Sequence, residues 1–272
     1  MNRINQKLTT LRAQGRKALV PYIVAGDPFK EITVPAMHAL VAAGADILEI
    51  GVPFSDPMAE GPVIQLAHER ALKHKTSLRN TLAMVAEFRE HDDETPVVLM
   101  GYANPVEKMG YQQFAEQAQF SGVDGVLTVD LPPEEAEDFT KILRQHGLEN
   151  IFLIAPTTTL SREKSIAELA GGYIYYVSLK GVTGAGHLDV ESVQQKVAEI
   201  RTLTDLPVCV GFGIKDGATA RAASSSADGA VVGSVLVNAM AEQAKLNSDA
   251  NQITESIASI VKEMRAALDE QV

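Results

Sequence analysis

The sequence is poor in cysteine, in basic residues and in long apolar runs. A single cysteine, Cys209, excludes an intramolecular disulfide and fits a reducing, cytoplasmic compartment. It lies inside the apolar run Leu206-Pro207-Val208-Cys209-Val210, where a small core filler outranks a nucleophile. Lys and Arg number 24 against 35 Asp and Glu, a formal charge of −11. Such a surface repels phosphate backbones and argues against nucleic acid as a partner, while leaving room for one small anion in a local pocket. No run reaches the roughly 18–20 apolar residues that a membrane-spanning helix needs. The six histidines (His38, His68, His74, His91, His146 and His187) show no metal-ligand spacing, so no metal is expected. His187 falls at a loop tip; the others fall mostly in helices or at their ends, where exposure is the expectation. Neither a Gly-x-Ser-x-Gly elbow nor a phosphate-binding P-loop is present. The first 26 residues contain no Asp or Glu, as transit peptides do. Yet Ile4, Leu8 and Leu11 recur at helical spacing and lead directly into a strand, which predicts a structural N-terminal helix.

What is present is an ordinary globular composition, 46% hydrophobic and 22% charged. Twenty Gly and twelve Pro exclude collagen-like or proline-rich architecture. At about 150 residues per domain the length suggests roughly two domains, but one α/β barrel alone takes about 250 residues. No linker or shift of composition splits the chain, so a single domain over 1–272 is expected. Short β-rich runs alternate with longer stretches of helical spacing. The strand candidates are Ala18–Val24, Ile47–Ile50, Pro96–Met100, Gly125–Val129, Ile151–Ala155, Ile174–Ser178, Val208–Val210 and Gly229–Val232. Most are continuous apolar runs, as parallel strands buried on both faces should be. They begin about 30 residues apart, the size of one βα unit. Helices are predicted at Ile32–Ala43, at Val63–His74 with Pro62 in the first turn, and at Ser77–Glu90 with Ser77 as N-cap. Others follow at Tyr111–Phe120, Pro133–His146, Ser161–Leu169, Val190–Thr202, Asp216–Ala223 and Ile253–Leu268. The fold class is therefore α/β: a closed (β/α)8 barrel with an extra N-terminal helix and an additional helix after strand 2. Such barrels carry their chemistry just past the C-terminal ends of the strands.

At those ends Glu49 stands out, a lone carboxyl in the apolar strand Ile47-Leu48-Glu49-Ile50. Burial should raise its pKa toward the range useful for acid–base work, unless it is a structural carboxylate bonded to backbone. Glu60 lies in the long loop after the same strand, where a solvated side chain is the default. Asp27 and Asp56 directly precede prolines and Asp130 is one residue removed from one, which suggests turn or helix-start chemistry. Gly181, Gly184, Gly186, Gly211, Gly213 and Gly233 follow strands 6, 7 and 8, a frequent phosphate site in this fold, and Ser234 opens the eighth helix.

These residues carry a resemblance. The segment Leu48-Glu49-Ile50-Gly51-Val52-Pro53-Phe54-Ser55-Asp56-Pro57 resembles the signature of the tryptophan synthase alpha chain family. Gly26-Asp27-Pro28, Asn104-Pro105, the stretch from Tyr175 to Gly184, and Gly211-Phe212-Gly213-Ile214 match it too, so the likeness spans nearly the whole chain. It implies a lyase that splits indole-3-glycerol phosphate into indole and glyceraldehyde 3-phosphate. It implies no cofactor in this chain, and a partner beta chain that carries pyridoxal phosphate in an α2β2 assembly. By the resemblance Glu49 is the acid–base carboxyl and Glu60 the carboxylate that holds the indole N–H. The family carries Asp at that second position, so Glu60 is a departure of one methylene. Phosphate is assigned to Gly184, Gly213, Gly233 and Ser234. The indole pocket is assigned to Tyr22, Met100, Tyr102, Val129, Leu153, Tyr175 and Phe212, with Thr183 on a closing loop near Glu49. Loops 53–62 and 179–190 would be lids, the first also touching the beta chain.

Two other readings compete. Lys180, just past strand 6, could form an imine with a carbonyl substrate in a Schiff-base aldolase. Alternatively, the Glu60 departure could mark a regulatory subunit that binds ligand and activates its partner with little turnover.

Overall fold

The computed structural model describes residues 2–178, 190–211 and 213–270. Eight strands run in parallel: β1 (Ala18–Val24), β2 (Leu48–Gly51), β3 (Val97–Gly101), β4 (Gly125–Thr128), β5 (Glu149–Ile154), β6 (Ile174–Val177), β7 (Val208–Gly211) and β8 (Gly229–Val232). Each pairs with the next, and β8 returns to β1 through Ala18 beside Gly229, so the sheet closes as a barrel. Closure explains the missing alternation in the sequence. Along β1, Ala18 and Val20 point into the barrel while Leu19 and Ile23 pack under the helices, and all seven residues are buried. Along β2, Leu48 and Ile50 face the helices, which leaves Glu49 on the inner face with Ile47.

Around this barrel lie helices α1 (Arg3–Ala13), α2 (Thr33–Ala42), α3 (Pro62–Lys73), α4 (Leu78–Arg89), α5 (Ala103–Met109), α6 (Tyr111–Ser121), α7 (Glu137–Gln145), α8 (Leu160–Leu169), α9 (Val190–Arg201), α10 (Gly217–Ser224), α11 (Ser234–Lys245) and α12 (Ala250–Asp269). The N-terminal stripe behaves as its spacing predicts. Ile4, Leu8 and Leu11 of α1 pack against the interior residues Val20, Ile47, Val98 and Cys209, so α1 plugs the barrel floor. Cys209 is fully buried there, as expected of a core filler. No helix among the described residues is long and apolar enough to cross a membrane.

Beyond shifts of a residue or two at element ends, three differences from the sequence reading have a local cause. The turn Ala103-Asn104-Pro105 begins a helix, α5, whose first N–H is held at 2.7 Å by Asp130 from the next βα loop. Pro133 does not begin α7; two turn hydrogen bonds, Glu135 N–H to Pro132 and Ala136 N–H to Pro133, intervene before Glu137. The last helix starts at Ala250 because Asp249 and Gln252 form a reciprocal capping box.

The floor is clamped by Asp124, only 3% exposed, which accepts hydrogen bonds at 2.9 Å from Arg3 Nη1, Arg89 Nη2 and the Val97 N–H. It thereby ties the plug to α4 and to β3. Asp124→Asn keeps the volume but puts an amide where three donors converge. A loss of about 1–3 kcal/mol is expected, the cost of leaving a buried donor unsatisfied. Urea unfolding checks this, and an unchanged midpoint would show that the clamp is replaceable.

Candidate active site

The open end of the barrel holds a cavity of about 490 Å³, within the size range of small-ligand sites. Its apolar wall is built by Tyr22, Ile64, Met100, Val129, Leu153, Tyr175 and Val231. Its other end is built by Gly213, Lys215, Gly233, Ser234 and Asn238. Of the residues assigned from sequence, Tyr22, Glu60, Met100, Val129, Leu153, Tyr175, Gly213, Gly233 and Ser234 therefore meet around one space. Thr183, Gly184, Phe212 and Lys180 lie outside the described residues, as does the loop 179–189.

Glu49 sits next to Tyr22 in the register of β1 and β2 and is fully buried. Its Oε1 accepts a 2.5 Å hydrogen bond from the Tyr173 hydroxyl, while Oε2 has no partner among the described residues. Burial raises its pKa to about 7, partly opposed by the Tyr173 bond. An ionised carboxylate is disfavoured there because so little replaces its hydration. Among the described residues no backbone N–H bonds to this carboxyl. Glu49 itself does not line the cavity; the rings of Tyr22 and Tyr175, which do, feel the charges of both Glu49 and Glu60. The Tyr22 hydroxyl is buried and has no partner among the described residues. Both rings owe their space to glycine. A Cβ on Gly51 would overlap the Tyr22 hydroxyl, and one on Gly211 would overlap that of Tyr175. Gly211, grouped by sequence with the phosphate glycines, thus makes room for a phenol.

Glu60 is not the solvated loop residue that its surroundings in the sequence suggest. Its side chain is 7% exposed, and Oε2 lies 2.8 Å from His68 Nε2. His68 is itself 1% exposed, against the expectation that helical histidines are exposed here. It belongs to the inward face of α3 with Ile64, Ala67 and Ala71. Tyr102 stands beside the loop rather than in the cavity wall. It stacks on Phe54 at 5.0 Å between ring centres, and its hydroxyl accepts the Ala59 N–H at 3.3 Å. Asp27 is also no simple turn residue, because Arg70 of α3 grips it through two hydrogen bonds of 2.6 and 2.9 Å.

The polar end has the features an anion requires. Helix α11 starts at Ser234 with no side chain capping it, so its first N–H groups and the positive end of its dipole face the cavity. Lys215 is the single cation among the described lining residues. Among the described residues no three of His, Cys, Asp or Glu converge as a metal site.

Sequence reasoning did not single out Tyr173, His68 and Lys215. Tyr173 could have been found from Tyr175, since residues two apart lead onto the same face of β6. His68 could have been found from the i, i+4 step from Ile64. Lys215 carried no signal beyond its place four residues after a strand.

Fold and site together define a (β/α)8 barrel protein with a buried carboxyl of raised pKa beneath an apolar cavity whose far end is suited to an anion. Comparison with known proteins makes this specific. The sequence profile of the family described as tryptophan synthase alpha chain matches residues 8–269. The tryptophan synthase alpha chain of Nitrosococcus oceani is 59% identical over 269 residues, covering 99% of this chain and 98% of that one. The crystal structure of tryptophan synthase subunit alpha from Legionella pneumophila superposes with a TM-score of 0.92 at 45% identity, covering 99% of both chains. A chain of the tryptophan synthase complex from Pyrococcus furiosus superposes with a TM-score of 0.81 at 37% identity, covering 92% of this chain and 99% of that one. The chain belongs to the tryptophan synthase alpha chain family, and it is a lyase subunit of tryptophan biosynthesis.

Proposed function

We propose that the chain, acting as one domain, cleaves indole-3-glycerol phosphate by a retro-aldol reaction in which Glu49 moves both protons. The carboxyl gives its proton to the ring carbon that bears the side chain, forming an indolenine. The carbon–carbon bond then breaks, its electrons return to the ring, and the hydroxyl on the departing carbon loses its proton to Glu49 as the aldehyde forms. The proton count closes on one carboxyl, which must be both acid and base near working pH. The observation that carries this reading is the buried Glu49 carboxyl, with one oxygen bonded to Tyr173 and the other without a partner among the described residues, below an apolar cavity. Glu60, in the cavity wall, serves as the counter-charge for the ring nitrogen. Gly213, Gly233 and Ser234 hold the phosphate with Lys215 nearby, and Gly184 joins them by resemblance. No cofactor is used in this chain. Indole passes to a beta chain that carries pyridoxal phosphate, in an α2β2 assembly in the cytoplasm. The loop 53–61, whose Met58 is 84% exposed, forms part of that contact.

The test is release of free indole from indole-3-glycerol phosphate by the isolated chain and by the chain with a beta chain. Turnover that rises with the partner supports the reading. Binding without turnover in either state would favour a purely regulatory subunit, and borohydride trapping on Lys180 would favour the aldolase. Ser234→Ala removes one hydroxyl from a cradle otherwise made of backbone N–H groups and the nearby Lys215. It is expected to weaken glycerol phosphate binding by about 1.5–3 kcal/mol, the range for a bond to a charged group. Calorimetric titration measures this, and equal affinity would take Ser234 out of the cradle.

A further inference from the structure

Glu60 and His68 are two polar side chains in contact beside the cavity, 7% and 1% exposed. The atoms in contact, Glu60 Oε2 and His68 Nε2, are 2.8 Å apart but not aligned as a hydrogen bond, and neither has a hydrogen-bond partner among the described residues. The other ring nitrogen of His68 is committed: Nδ1 accepts the Phe54 N–H at 3.0 Å. A nitrogen that accepts from an N–H carries no proton, so the neutral ring keeps its proton on Nε2, facing Glu60. One imidazole thus joins the first and last parts of the loop that runs from β2 to α3. Tyr102 supports the same loop from its other side, through the stack on Phe54 and the bond from Ala59.

We infer that His68 is the positioning residue for Glu60. Its Nε2–H orients the carboxylate at the cavity wall, and its Nδ1 fixes the loop from which that carboxylate projects. The inference deepens the functional reading above and rests on it, since it concerns the Glu60 carboxylate as the partner of the substrate's ring nitrogen. His68 does not line the cavity, whereas Glu60 does, so His68 acts through Glu60. A glutamate has three side-chain torsions to fix, and an anchor on one oxygen removes that freedom before substrate arrives.

Two amide variants separate the two ends of the ring. His68→Gln would place an amide N–H near the position of Nε2, whereas His68→Asn would offer an acceptor to Phe54 and stop short of Glu60. The expected result is that His68→Asn lowers kcat about tenfold or more with a smaller change in KM. His68→Gln is expected to recover most of that loss. Thermal melting and glycerol phosphate binding establish that each variant is folded. A role confined to fold stability would instead lower the melting temperature and leave kcat of the folded fraction intact, which overturns the inference. A double-mutant cycle with Glu60→Ala adds a second arm. If His68 acts through Glu60, His68→Asn has no further effect on kcat once Glu60 is alanine. An equal loss in both backgrounds overturns the inference. If Glu60→Ala is itself fully active, the reading of Glu60 fails and the inference fails with it. If Glu60→Ala is slow while His68→Asn is as fast as wild type, only the positioning role fails. A readout independent of activity is the ring ¹⁵N spectrum near neutral pH. The Nε2–H tautomer is expected, with a shift that moves in Glu60→Gln; a ring protonated on Nδ1 alone would contradict the inference.

Discussion

Glu49→Gln is expected to lower kcat for indole release at least about 100-fold while leaving glycerol phosphate affinity unchanged. The amide keeps the shape of the carboxyl and can still accept from Tyr173, but it neither gives nor takes a proton at working pH. The same variant is expected to gain stability in a pH-dependent way. In the folded chain burial holds the Glu49 pKa at about 7, above the ordinary carboxyl value of 4.5. A raised carboxyl pKa means that the folded state binds the proton more tightly than the unfolded chain does. Its contribution is therefore intact below the unfolded value and is lost as pH rises through the folded one. Glutamine never ionises and escapes that loss. The melting temperature of Glu49→Gln should exceed that of wild type at pH values above about 7, with the gap closing as pH falls toward the ordinary carboxyl range. A variant that keeps wild-type kcat would remove Glu49 from the chemistry. A melting difference independent of pH would show that Glu49 does not titrate as its burial requires.

That carboxyl was readable in the sequence because it breaks a rule. A charged residue inside an apolar strand must be paired, neutral or functional, and the strand could be recognised without knowing the fold. The eight strands were readable for a related reason, since burial on both faces leaves short uninterrupted apolar runs whose edges moved by only a residue or two. The start of α4 followed from its local N-cap, Ser77. Helix α5 was not readable, because the residue that holds its first N–H, Asp130, lies 27 positions away. Local pattern cannot report a cap delivered by another loop.

The same limit governs the site. Glu60 and His68 are eight positions apart across a loop and a helix start, and only the path of the loop brings them together. From composition alone the loop suggested solvent for Glu60, and the helix suggested solvent for His68. Either side chain alone would be costly to bury, so the two surprises have one cause: each provides the polar neighbour that lets the other be buried. Gly211 shows the converse. As a glycine after a strand it invited a phosphate reading, but what it accommodates is Tyr175 from the neighbouring strand, as Gly51 accommodates Tyr22.

Glu60→Ala is expected to cost about 10²–10³ in kcat, the usual loss when one group that stabilises transition-state charge is removed. Protonation of the ring carbon leaves positive charge on the indole nitrogen. In a cavity walled by Tyr22, Met100, Val129 and Leu153, little water can offset that charge. Glu60 is the one acidic side chain among the described lining residues, and its Oε2 already stands beside His68. Its Oε1 remains to receive the ring N–H when substrate binds, at a hydrogen-bond distance of about 2.7–3.2 Å. Glu60→Gln keeps that acceptor without the charge. It should therefore bind substrate nearly as wild type does and still be slow, a fall in kcat more than a rise in KM. Glu60→Asp keeps the charge on a shorter arm but gives up the contact with His68, so it should fall roughly tenfold, about as far as His68→Asn, and stay faster than Glu60→Ala. Rates for the three variants, measured with the beta chain present, order these effects. If Glu60→Gln is as fast as wild type while Glu60→Ala is slow, the nitrogen needs an acceptor but no counter-charge. If Glu60→Ala is also as fast, the reaction runs on Glu49 alone.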